Sequence, residues 1–200
     1  MILLLSLWSC TGTDAPLKDT SVDISEEVSC FDAIPSIDIG EGERAFEPFV
    51  DPFEAMMIHG PQGGWHILAS LQTQGMNNIV EVHYTIEHLE SGVLVSDNTY
   101  RLAVVSTGTC TGYYPGMYGY LSVSSLYDGE LDTPPELLGG DALRIEMEVT
   151  DCTQNMDAEG ICDRDIRWVN ASIDVQAILD PVDIEDTQDS DTGESSGSTE

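Results

Sequence analysis

Apolar and polar residues alternate with a period of two through the middle of the chain. Leu143, Ile145, Met147 and Val149 alternate with Arg144, Glu146 and Glu148, and Val169, Ala171, Ile173, Val175 and Ala177 alternate with Asn170, Ser172, Asp174 and Gln176. Val80, Val82, Tyr84 and Ile86 are set against Glu81, His83, Thr85 and Glu87, and Trp65, Ile67, Ala69 and Leu71 against His66, Ser70 and Gln72. This period predicts strands with one face in a core and one in water, as in antiparallel sheets. Shorter strands are expected at Ala45–Val50, Glu54–His59, Val93–Ser96, Tyr100–Val105 and Met117–Val123. Turn signals separate them at Pro61-Gln62-Gly63-Gly64, Ser91-Gly92, Pro115-Gly116 and Gly139-Gly140-Asp141. No window carries the pattern of an amphipathic helix. Eight or nine short strands with polar turns predict an all-β fold, a single antiparallel β-sandwich with immunoglobulin-like or fibronectin-like topology. The Cys…Trp…Cys spacing of true immunoglobulin domains is absent.

The alternation is confined to residues 36–179, which are expected to form the folded domain. Residues 10–35 mix Thr, Asp, Ser and Pro with few large apolar residues and read as a flexible tether. Residues 180–200 hold eight acids, no base and many Ser, Thr and Gly, the composition of a disordered acidic tail.

The chain opens Met1-Ile2-Leu3-Leu4-Leu5-Ser6-Leu7-Trp8-Ser9-Cys10 and then turns polar at Thr11-Gly12-Thr13-Asp14. The run is too short to span a membrane, which takes about 20 apolar residues. Leu7, Ser9 and Cys10 resemble the lipobox that ends a bacterial lipoprotein signal peptide, with Leu at −3, a small residue at −1 and the acylated cysteine at +1. The resemblance implies a signal peptide over residues 1–9, lipidation of Cys10 and attachment to a membrane through acyl chains. More than one such chain gives stable anchoring, at ~0.8 kcal/mol per buried methylene. Thr11 rather than Asp after the cysteine points, within that family, to the outer membrane, on its periplasmic or surface face.

Five cysteines leave an even four once Cys10 is set aside: Cys30, Cys110, Cys152 and Cys162. Outside the cytoplasm such a set reads as two disulfides. Of the three pairings, Cys152–Cys162 would close one loop and Cys30–Cys110 would tie the N-terminal segment to the domain. No C-x-x-C pair supports a zinc site instead. The formal net charge is −31, with six bases in 200 residues. That excludes a nucleic-acid footprint, which needs a basic patch, and repels the chain from anionic head groups.

Several strings carry candidate chemistry. His59-Gly60-Pro61-Gln62-Gly63-Gly64-Trp65-His66-Ile67 resembles a segment of uncharacterised extracytoplasmic proteins and lipoproteins of myxobacteria and their relatives, and no activity comes with that resemblance. Its glycines permit tight turns, and His59 and His66 could meet across a hairpin, where a nearby acid would complete a zinc or copper site. The competing expectation is a structural turn, with Trp65 in the core and His66 outside. Asn155, Asp157, Glu159 and Asp163 space their oxygens like the first half of a calcium loop, so Ca2+ is a possible ligand, although the closing bidentate acid would fall at Ile166. Tyr113, Tyr114, Tyr118 and Tyr120 suit a binding surface. Gly193-Glu194-Ser195-Ser196-Gly197 lacks the strand and helix a nucleophile elbow requires, and Asn170-Ala171-Ser172 lies inside a strand. No phosphate loop, dinucleotide fingerprint or catalytic Cys–His arrangement occurs. The expected role is therefore a non-enzymatic binding or structural module of the cell envelope, with the membrane and an envelope protein or glycan as partners. A metal-dependent enzyme using His59 and His66, or a calcium-stabilised module, is the alternative.

Overall fold

The computed structural model describes residues 30–60, 64–126, 133–153, 162 and 167–181. Cys10, the tether up to residue 29 and the tail from residue 182 lie outside them. The elements are a 3-10 turn at Cys30–Asp32, then β1 (Ser36–Glu41), β2 (Glu47–Pro48), β3 (Glu54–His59), β4 (Trp65–Gln74), β5 (Ile79–His88), β6 (Val93–Ala103), β7 (Val105–Gly108), β8 (Thr111–Tyr120), α1 (Pro134–Leu138), β9 (Ala142–Asp151) and β10 (Trp168–Leu179).

The class is all-β. The strands join in one curled, mixed sheet along the path β2-β1-β4-β3-β10-β9-β5-β6, with β8 also on β4 and β7 on β8. β3 and β10 run parallel, from Glu54 opposite Gln176 to Met57 opposite Leu179. That pair departs from the purely antiparallel arrangement expected, because alternation marks the buried face of a strand but not its neighbour. The curl brings the free ends together: just past β8 the Ser122 N–H donates to the carbonyl of Val95 in β6 at 2.7 Å, and Leu121 bonds back to Trp65.

The alternating positions are the core. Val80, Val82, Tyr84 and Ile86 of β5 and Leu143, Ile145, Met147 and Val149 of β9 are all fully buried, packed with Ile67, Ala69 and Leu71 of β4. Tyr84 spans the interior, donating its hydroxyl to the Ile67 carbonyl at 3.3 Å; burial pushes this phenol far above its ordinary titration range. The expected strand Val93–Ser96 and the first four residues of Tyr100–Val105 belong to the continuous β6, while Val105 opens β7. Pro115-Gly116 is a bulge inside β8 opposite Ser70, not a turn.

Both disulfides form, Cys30–Cys110 across 80 residues and Cys152–Cys162 across 10. The first includes Cys30 to Pro35 in the folded body, ahead of the boundary expected at 36. Arg167 holds the same segment. Its guanidinium donates to the carbonyls of Cys30 at 2.8 Å and Ala33 at 2.7 Å, and also to those of Phe31 and Gly75. It faces Asp151 at 3.6 Å, both side chains being almost wholly buried. Asp151 in turn accepts from the backbone and side chain of Asn77 and from the Thr153 N–H.

Removing one member of a buried ion pair leaves the other uncompensated, at about 3–5 kcal/mol. Arg167→Ala is therefore expected to lower the unfolding free energy in urea by about that amount with both disulfides intact. Arg167→Lys should recover only part of it, since an ammonium lacks the planar fork that reaches several carbonyls at once. A loss below about 1 kcal/mol for Arg167→Ala would show that this network does not hold the segment.

Candidate functional site

The candidate site lies on the outer face of β3, β4 and β8. Ile58 is paired with His66, Leu68 with Tyr118, and His66 with Tyr120. Side chains two residues apart share a face of a strand, so Tyr118 and Tyr120 stand side by side, their rings stacked at 5.7 Å and 15°. Both are exposed, at 44% and 56%, whereas His66 beneath them is only 5% exposed. The His66 and Tyr118 rings are steeply inclined to each other, with centres 4.8 Å apart. Tyr100 of β6 donates its hydroxyl to the Tyr118 carbonyl, fixing the end of β8. His59 turns to Trp65, with ring centres 5.0 Å apart.

Ser70 sets the fourth wall. It donates to the Gly42 carbonyl at 2.7 Å and accepts from the Gly116 N–H at 3.2 Å. The turn between β1 and β2 is thereby pinned over the bulge of β8. Gly116 has φ +62° and a Cβ there would press on the Glu43 carbonyl at 3.3 Å, so glycine permits both the bend and the approach. The result is a cleft of about 310 Å³ lined by Glu43, Ile58, His59, Gly60, His66, Leu68, Gly116 and Tyr118.

The two histidines thus share one cleft, as a hairpin suggested. Alternation places Trp65 against the core and His66 on the other face, but His66 is roofed by tyrosines rather than open to water. Among the described residues no group of three or more His, Cys, Asp or Glu is placed to hold a metal ion. Asn155, Asp157, Glu159 and Asp163 lie outside the described residues. The four tyrosines do not form one patch: Tyr114 packs on the core, and Tyr113 pairs with Gln72 and Val105 beyond the bulge. Glu43, Ile58 and Ser70 escape sequence reasoning. Glu43 is one of 37 acids, and no local pattern marks the turn that carries it. No protein-family model matches this chain, and no curated protein matches it.

Burial, and after it the neighbouring His59, holds the His66 ring below the usual imidazole range. Its stabilising contribution is therefore present at neutral pH and is lost as pH falls below the unfolded-state value near 6.5, where the unfolded chain takes up the proton first. Stability measured by denaturant should fall over that range, and His66→Gln should flatten the dependence. An unchanged slope in the variant would assign it elsewhere.

Packing separates wall from roof. A Cβ at Gly119 would meet Tyr84 Oη and Ile86 Cδ1 at 2.7 Å. Gly119→Ala is expected to cost about 1–3 kcal/mol by overpacking. Tyr120→Ala, next to it but exposed, should cost less than about 1 kcal/mol. Equal large losses in urea melts would make Tyr120 a core residue and remove it from the site.

Proposed function

We propose that this chain is a lipid-anchored, non-enzymatic binding module of the cell envelope, held through acylated Cys10 and binding its ligand in the cleft of Glu43, His66 and Tyr118. One observation carries the reading: the two ends of β4 have different jobs. At Gln74 the strand meets β1 at Ser36, and the next residue, Gly75, shares Arg167 with Cys30 and Ala33. The segment leading back to Cys10 therefore enters at that end. The cleft lies at the other end, around His66 and His59. The eight-residue step from His66 to Gln74 covers about 26 Å at ~3.3 Å per residue. A tether at one pole leaves the opposite pole facing outward, where a binding site is useful.

Two disulfides suit an oxidising, extracytoplasmic compartment. Among the described residues no helix is long and apolar enough to cross a membrane. The lipobox resemblance supplies the anchor and, through Thr11, favours the outer membrane. A metal-dependent reading draws on His59 and His66 sharing the cleft with Glu43. Zinc titration separates the two readings, since a stoichiometric, His66-dependent rise in melting temperature would favour the metal.

Mass spectrometry of protein recovered from the membrane fraction should show an N-terminal, acylated Cys10, and Cys10→Ser should move the protein into the soluble fraction. An intact Met1 with unmodified Cys10 in membrane-recovered protein would overturn the anchor.

A further inference from the structure

We propose that the cleft takes an organic cation: a protonated primary amine seated at Glu43, with its alkyl stem against Ile58, Leu68 and the ring of Tyr118. The inference rests on the reading of this cleft as a binding site and names its ligand class. The walls divide by chemistry. Among the described residues Glu43 is the one acidic residue on the lining, while Ile58, Leu68 and Tyr118 give an apolar and aromatic flank. Arg44, the next residue of the turn, does not line it. A carboxylate beside an aromatic face is a cation's complement, combining ion pairing with attraction to the ring quadrupole. A volume of about 310 Å³ is at the small end of ligand pockets and suits a single side-chain-sized group.

The surroundings favour the same sign. A net charge of −31 on the whole chain draws cations and repels anions. The His66 imidazole does not oppose this at neutral pH. The groups facing His66 are His59 from β3, Tyr118 and Tyr120 from β8, and Glu43 from the turn. None of these is a fixed positive charge, and burial disfavours protonated His66. Acid brings His66 toward the charged form and turns the cleft against its ligand.

The test is a titration of the full chain, extracted from membranes in detergent, with n-butylammonium chloride and with n-butanol as its uncharged counterpart. The readouts are the ring resonances of Tyr118 and His66. Saturable shifts are expected with butylammonium and not with butanol. Glu43→Gln should weaken the apparent Kd about tenfold or more, while Glu54→Gln, an exposed acid at the far end of β3, should change it less than about twofold. Binding should weaken from about pH 7.5 to about pH 5.5 and from about 0.05 M to about 0.5 M salt. A Gly-Lys-Gly peptide that binds more tightly than butylammonium, and loses this on Nε-acetylation, would identify a lysine side chain as the source; equal binding would identify a free amine. Absence of saturable shifts with butylammonium, equal shifts with butanol, or an unchanged Kd in Glu43→Gln would overturn the cation. If tri-N-acetylglucosamine saturates the same resonances when butylammonium does not, the cation fails and the binding reading stands. Silence from all the probes overturns both.

Discussion

Strand β4 is buried along its inner face and, at His66 and Ser70, on its outer face as well, and much of the molecule is arranged around that constraint. Ile67, Ala69 and Leu71 point into the core and are fully buried. On the other face His66 and Ser70 are buried too, at 5% and 0% exposure. A polar group buried without a partner costs about 1–3 kcal/mol, so the outer face has to be furnished. Ser70 finds its partners in two backbones, Gly42 in one turn and Gly116 in the bulge of β8. His66 is covered by the rings of two tyrosines, their centres 4.8 and 6.3 Å away. The furniture that satisfies β4 is what makes the cleft: the pinned turn brings Glu43, the bulge admits it, and the tyrosine roof leaves its own rings exposed.

The other end of the same strand is solved differently. Arg167 gathers carbonyls from Cys30, Phe31, Ala33 and Gly75, stretches of chain far apart in sequence, and faces Asp151. One of only six bases in the chain is thus spent inside rather than on the acidic surface. An isolated buried cation would be prohibitively costly. Several carbonyl acceptors and one carboxylate offset that cost, and the planar fork makes the arrangement specific in direction. The Cys30–Cys110 bond ties down the same turn through another route. Closing so long a loop restricts the unfolded chain by on the order of 4 kcal/mol in the chain-entropy description.

What the sequence could reveal follows from which forces are local. Burial alternates along β5 and β9 without exception over their central residues, so Val80 to Ile86 and Leu143 to Val149 could be placed on the core face from periodicity alone. In β6 the polar stretch Asp97-Asn98-Thr99 hides a continuous strand, because the middle of β6 is wet and carries no buried residue between Ser96 and Leu102. In β8 the signal breaks at Pro115-Gly116, where the bulge resets the alternation. The parallel pairing of β3 with β10 was illegible, since each strand's pattern is the same whichever neighbour it meets. The cleft was legible in part: two histidines flanking a glycine-rich turn could meet across a hairpin, and both line the cleft. Glu43 was not, because it arrives through Ser70, whose hydroxyl carries no sequence signature.

Charge joins the two poles into one argument. For a chain held at its N-terminal end, a net charge of −31 pushes the folded body away from an anionic surface over roughly a Debye length, about 8 Å at physiological salt. The body itself adds the length of β4 before the cleft is reached. In such a chain the far pole would combine distance from the attachment point with the chain's overall negative charge. In that setting the His66 imidazole, held below its usual range by burial, matters for what it omits: a positive charge there would oppose the field in the cleft shared by Glu43 and Tyr118.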